Sequence, residues 1–182
     1  MTVDTRRMTV EEFDQFVLLP ENADKSFEYI AGEIIEVVSN DRSAEIAMII
    51  GAFITVFVLQ HQLGRVTGAD GGYIIAGERY IPDFAYTSKL RKPKPSGEAY
   101  SSVTPDLVVE VLSPANTAAE MRVKVINYLH DGVTVWIVDP DKKRVEVYAP
   151  DQPSKVVDIK GTLDGGSVLP GFTLAVKDIF PE

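Results

Sequence analysis

Cysteine is absent from this 182-residue chain, which removes a disulfide framework, a thiolate nucleophile and any sulfur-ligated metal together. Histidine is nearly absent as well: His61 and His130 are the only two, too little material for a zinc site. Any metal must be held by oxygen. Positive charge is also scarce, with 18 Lys and Arg against 27 Asp and Glu for a net charge of −9. A protein that coats phosphate backbones needs the opposite balance, so a basic surface, where present, is local. The first residues lack the apolar core of a secretory signal. The longest apolar run, residues 46–59, falls short of the about 20 residues that a membrane span takes. These absences predict a cytoplasmic protein with no membrane partner, and a buried helix rather than a membrane-spanning one.

What is present suffices for one core. At 45% hydrophobic and 25% charged, with no linker and no internal repeat, the chain reads as a single domain over residues 1–182. Thr9-Val10-Glu11-Glu12 has the capping-box pattern and starts a short helix through about Leu18. The segments 27–30 and 33–38 flank Ala31-Gly32 and form a tight hairpin with Gly32 at positive φ. Residues 43–62 form the long buried helix. Segments 64–67, 72–76 and 80–87 read as antiparallel strands, and 107–112 as a strand covered on both faces. The amphipathic stretch 117–131 is a second long helix, followed by strands at 133–139, 144–149 and 155–159 and a helical turn near Ile179. The sum is an α/β or α+β domain on a mixed sheet. Trp136, among Val135, Ile137 and Val138, reads as core, and His130, near a helix C-terminus, as a surface residue.

Glu110 breaks the pattern of its strand. Alternation puts Val108, Glu110 and Leu112 on one face and Leu107, Val109 and Val111 on the other, so burying the apolar set holds a carboxylate in or beside the core. Left alone there it costs several kcal/mol; it must be neutralised, paired or bound to a metal. Asp83 stands at the mouth of a strand opened by Pro82. If its strand pairs with that of Glu110, the two acids converge to chelate a hard cation such as Mg²⁺ or Mn²⁺. The competing reading makes Asp83 a strand-end residue and pairs Glu110 with a lysine. Lys124 shares a helix face with Glu120 at i−4 and Tyr128 at i+4. A helix crossing back over the preceding strand would aim Lys124 at Glu110, whereas an exposed Glu120–Lys124 ion pair is the simpler alternative.

The blocks Phe27-Glu28-Tyr29-Ile30-Ala31-Gly32-Glu33, Pro82-Asp83, Pro105-Asp106 followed by the strand to Leu112-Ser113-Pro114, Lys124 with Tyr128, Gly132-Val133 and Trp136-Ile137-Val138-Asp139-Pro140 occur in the order seen in the Uma family. The chain resembles that family, endonucleases of the PD-(D/E)XK restriction-endonuclease-like superfamily, from about residue 8 to residue 180. The resemblance implies a restriction-endonuclease-like core, a mixed sheet flanked by helices with an N-terminal hairpin. It implies Asp83 and Glu110 as metal-binding acids, with the Val111 carbonyl as a further ligand, and Glu28 as an additional acid that touches the metal through water. The superfamily lysine normally stands two residues after the second acid, where this chain has Leu112; Lys124, on the next helix, corresponds to it. Glu120 replaces an Asp of many relatives, and Ser43 a His.

The function so implied is hydrolysis of phosphodiesters in nucleic acid, DNA foremost, by a Mg²⁺- or Mn²⁺-dependent endonuclease. The alternative is a catalytically silent nuclease-fold module for protein association or regulation, with Glu110 held by Lys124 as a structural pair. Lys89, Arg91, Lys92 and Lys94, in a proline- and serine-rich stretch, could track phosphates or simply decorate a solvated loop. The apolar long helix makes a homodimer a candidate assembly.

Overall fold

The computed structural model describes residues 7–180; the ends of the expected 1–182 domain, residues 1–6 and 181–182, lie outside it. In chain order the elements are α1 (Val10–Phe16), β1 (Phe27–Ile30), β2 (Glu33–Glu36), α2 (Asp41–Gln60), β3 (Gly64–Gly68), β4 (Gly72–Ile75), β5 (Glu78–Tyr80), β6 (Phe84–Ser88), β7 (Tyr100–Ser101), β8 (Leu107–Val111), α3 (Ala118–His130), β9 (Thr134–Asp139), β10 (Arg144–Tyr148), β11 (Lys155–Asp158), β12 (Thr162–Asp164) and β13 (Thr173–Ala175). The mixed α and β architecture expected from the sequence is the one observed.

Local chemistry explains most boundaries. Thr9 and Glu12 cap α1 reciprocally, each side chain taking the other's backbone N–H. The β1–β2 and β4–β5 hairpins both turn on an Ala-Gly pair with positive φ at both residues, 53° and 85° at Ala31-Gly32 and 52° and 80° at Ala76-Gly77. That is the backbone twist a two-residue hairpin turn demands. Asn40 caps α2 and Thr117 caps α3, each accepting the N–H three residues on.

A six-stranded sheet, in the order β11-β10-β9-β8-β6-β3, forms the centre. β8 and β9 run parallel, joined by α3, whereas the β6–β8 and β9–β10 pairs are antiparallel. α2 covers one face through Ile46, Ile50, Ile54 and Val58, packed with Leu107, Val109, Val111 and Trp136. α3 covers the other through Met121 and Tyr128, packed with Val108, Val135 and Ile137. A five-stranded sheet, β2-β1-β5-β4-β7, closes over this second face with Ile30, Tyr73, Ile75 and Tyr80.

Three expectations need revision. The segment 80–87 is not one strand: it divides between β5 in the five-stranded sheet and β6 in the central sheet, with Pro82 and Asp83 in the link. α2 is not wholly buried: Met48, Val56 and Leu59 are 73%, 55% and 66% exposed. By length and composition α2 would also pass as a membrane span, but in this structure one side of it packs on the sheet. The apolar run satisfies a helix with one covered side, and its composition could not say which residues that side takes. The β12–β13 hairpin was also missed, because strands of three residues carry too little alternation to stand out.

Candidate functional site

The β6–β8 ladder pairs Phe84 with Val109 and Ala85 with Val108, so one step further along the same register Asp83 faces Glu110. Asp83 Oδ2 accepts the Val111 N–H at 2.7 Å, which locks the acid to the end of the neighbouring strand. Glu110, 6% exposed, points to the α3 side, as the alternation of its strand requires. The two acids therefore converge because the strands pair.

Lys124 reaches them from α3 because the β8–α3–β9 crossover lays the helix back over its own strand. It is 4% exposed. Its Nζ donates to Glu28 Oε1 at 2.9 Å and lies 2.8 Å from Glu28 Oε2, and it approaches Glu110 Oε1 and Oε2 at 3.3 and 3.4 Å. The exposed Glu120–Lys124 pair does not form: Glu120 is half-buried and lines the same recess, and Lys124 turns inward to Glu28 and Glu110. Glu28, on β1, comes from the second sheet and is fixed by the Ile81 N–H at 2.8 Å. The ammonium thus ties the two sheets together through a pair of buried acids.

Tyr128, one turn after Lys124 and fully buried, donates its hydroxyl to Glu110 Oε1 at 2.7 Å. The sequence placed it on the Lys124 face by i+4 spacing, but the spacing alone assigned it no partner. Asn116 shapes the rim, accepting from both the N–H and the hydroxyl of Ser113 at 2.8 and 3.0 Å. Ser43, which stands where many relatives of the resembled family carry His, is buried and donates to the Leu112 carbonyl at 3.2 Å.

Two carboxylates contact this one ammonium and a third, Asp83, lies in its field. Burial, reinforced by Glu110, pushes Asp83 up to about 6 against the opposing pull of the Val111 N–H and Lys124. Burial likewise pushes Glu28 up to about 7 despite Lys124. Burial works against charge on Lys124, yet Glu110 and Glu28 outweigh it and hold the ammonium above its ordinary value. The Tyr128 phenol, desolvated and beside Glu110, is kept well above its usual range and so remains a donor. The acids have more negative charge than the lysine can neutralise, and a proton or a cation must supply the rest.

Among the described residues no group of three His, Cys, Asp or Glu side chains forms a ready metal cage. The donor set is nevertheless the right kind for a hard cation: oxygens only, in a small recess of about 80 Å³ lined by Asp83, Glu110, Val111 and Glu28. Mg²⁺ keeps several waters and needs few protein ligands.

Lys89, Arg91, Lys92 and Lys94 are not brought to the recess. They follow β6 at its far end, and with five residues in that strand the separation from Asp83 is roughly 17 Å along the strand. Arg91 pairs with Asp106 at 3.1 Å and Lys92 donates to Ser101 at 2.7 Å, while Lys89 and Lys94 are exposed. His130 is exposed beside Asp131, and Trp136 is buried in the core, as expected.

A family model described as "Putative restriction endonuclease", Uma2, matches residues 10–177. The structure is also similar to a crystal structure from Anabaena variabilis ATCC 29413, titled as a putative nuclease belonging to DUF820. The TM-score is 0.80 at 25% identity, covering 92% of this chain and 96% of that one. No curated protein matches the chain.

Proposed function

The chain belongs to the Uma2 family of restriction-endonuclease-like nucleases, and from that premise we propose that it is an endonuclease that hydrolyses phosphodiester bonds in DNA with Mg²⁺ or Mn²⁺. The observation that carries this reading is Lys124 bridging Glu28 and Glu110, while Asp83 faces Glu110 across paired strands. Asp83, Glu110 and the Val111 carbonyl would hold the ion. When bound, it would supply Lewis-acid stabilisation of the phosphate and make a water more acidic.

The remaining work falls to the chain. Val111 N–H and Tyr128 hydroxyl fix the orientations of Asp83 and Glu110. Glu28, itself anchored by Ile81, positions Lys124. Lys124 would orient the attacking water and set positive charge beside the phosphate as negative charge grows in the transition state; such preorganised charge costs no rearrangement during reaction.

Purified protein incubated with plasmid, linear and single-stranded DNA plus Mn²⁺ or Mg²⁺ tests this. Cleavage is expected, with a loss of about a hundredfold or more in Asp83→Asn while circular dichroism shows an intact fold. No cleavage of any substrate, or equal cleavage by the variant, defeats the reading.

One observation favours a second reading, a silent module for protein association. Lys124 already satisfies Glu28 and Glu110 internally, as a structural pair would. Calorimetric titration with Mn²⁺ separates the two, since that module binds none.

A further inference from the structure

The ionisable side chains that line the recess are the carboxylates Glu28, Glu36, Asp83, Glu110 and Glu120 and one cation, Lys124. Four of the acids are held by donors. Glu28 accepts the Ile81 N–H at 2.8 Å and a hydrogen of the Lys124 ammonium at 2.9 Å. Asp83 accepts the Val111 N–H and Glu110 the Tyr128 hydroxyl, both at 2.7 Å. Glu36 pairs with Lys25 at 3.4 Å. Glu120 is the exception among the described residues. Its backbone N–H goes to the Thr117 hydroxyl that caps α3, but its carboxylate has no hydrogen bond and no ion pair. Half-buried, it gives up part of its hydration and receives no protein donor in return.

Hydrolysis of a phosphodiester needs an acceptor for the proton of the attacking water, placed within hydrogen-bond reach of it. Lys124 is unsuited to that task. Burial works against its charge, yet Glu110 and Glu28 outweigh burial and keep it an ammonium, which donates and does not accept. Glu28, Asp83 and Glu110 already spend lone pairs on fixed donors, and a hydrogen bond to the charged form of an acid makes it a weaker base. Glu120 has both oxygens free. It stands one turn before Lys124 on the same face of α3, where residues four apart have Cβ atoms about 5–6 Å from each other. A water oriented by the ammonium therefore has an uncommitted carboxylate beside it, in the same recess.

We propose that Glu120 is the base of the hydrolysis and takes the proton of the attacking water. The proposal rests on the nuclease reading of the recess and adds the proton acceptor to it. An O–H bond of the water breaks and its proton passes to a Glu120 oxygen, while the water oxygen forms a bond to phosphorus. The bond from phosphorus to the leaving sugar oxygen breaks with its electron pair. That alkoxide takes up one proton from solvent as Glu120 returns its own, so the carboxylate is restored for the next turnover.

The test uses the full chain with supercoiled plasmid DNA and saturating Mn²⁺. Glu120→Gln keeps the shape of the side chain and removes the base, so cleavage should fall about a hundredfold or more. Mn²⁺ affinity by calorimetry and the thermal midpoint should stay at their wild-type values, because the carboxylate makes no contact that the fold depends on. Glu120→Asp, which keeps a carboxylate, should cut faster than Glu120→Gln. Added formate should speed cleavage by Glu120→Ala and leave the wild type unchanged, a response that a merely structural residue would not give. Equal cleavage by Glu120→Gln and wild type, a loss of Mn²⁺ affinity that accounts for the lost cleavage, or a Glu120→Ala variant indifferent to formate overturns the proposal. A wild-type chain that cuts no DNA defeats the nuclease reading and this assignment with it. A wild-type chain that cuts, beside a Glu120→Gln variant that cuts as fast, defeats this assignment alone.

Discussion

Lys124 carries the electrostatics of the buried site, since Glu28 and Glu110 both lie within 3.4 Å of its ammonium. Replacing it by Met would leave two buried carboxylates without their shared cation, and breaking a buried pair in that way costs about 3–5 kcal/mol. Urea unfolding at neutral pH measures the loss, and adding Glu28→Gln to Lys124→Met should return part of it. A loss near zero would mean that the acids are already protonated in the fold. The raised acids predict a pH effect with a definite sign. Burial leads in holding Asp83 at about 6 and Glu28 at about 7, above their ordinary values of 3.8 and 4.5. A carboxyl whose pKa is higher folded than unfolded stabilises the fold while protonated. That contribution is complete below the unfolded values and is lost as pH rises through the folded ones. The ion-free protein should therefore lose roughly 2–3 kcal/mol for each of the two raised carboxyls between about pH 4 and pH 8. Asp83→Asn should flatten that slope, and Mn²⁺ should raise the thermal midpoint more at the alkaline end. Parallel wild-type and variant profiles would refute the assignment of Asp83.

At the scale of elements, α2 is a one-sided helix made of two-sided material. Ile50 and Ile54 are fully covered, whereas Leu59 is 66% exposed, although nothing in their chemistry separates them. Ile54→Ala should cost about 2–5 kcal/mol by opening a cavity, while Leu59→Gln should stay within about 0.5 kcal/mol of wild type. Thermal denaturation of the two variants checks the contrast. Similar losses at both positions would mean that the outer stripe is covered in solution, as a second copy of the chain would cover it. Gly51 adds a link from this helix to the site. A Cβ there would come within 2.8 Å of the ring of Phe84, the residue that follows Asp83. The close approach of α2 to β6 is thus part of what places the acid.

For the whole molecule, a net charge of −9 leaves little attraction for phosphate beyond local features, so the salt dependence of binding should be shallow and traceable. Lys89→Ala with Lys94→Ala, at the far end of β6, should leave the slope of log affinity against log salt unchanged for a short DNA. A slope lowered by about two units would instead return the phosphate contacts to the loop. Much of this protein was legible before any coordinates. Glu110 announced itself because a carboxylate in the run from Leu107 to Leu112 violates the pattern around it, and capping and turn residues marked the start of α1 and the turn of the first hairpin because those signals are local. The order of the family blocks pointed to Asp83, Lys124 and Glu28. The sequence by itself determined which groups had to be paired and what kind of cation could serve them, since strand period and residue chemistry act over a few neighbours. Only the tertiary structure decided that Lys124 binds Glu28 as well as Glu110, that the basic loop stands away from the recess, and that Glu120 lines it with no donor of its own. Those facts depend on which strands pair and how a helix crosses them, contacts between residues far apart in the chain that no local pattern encodes.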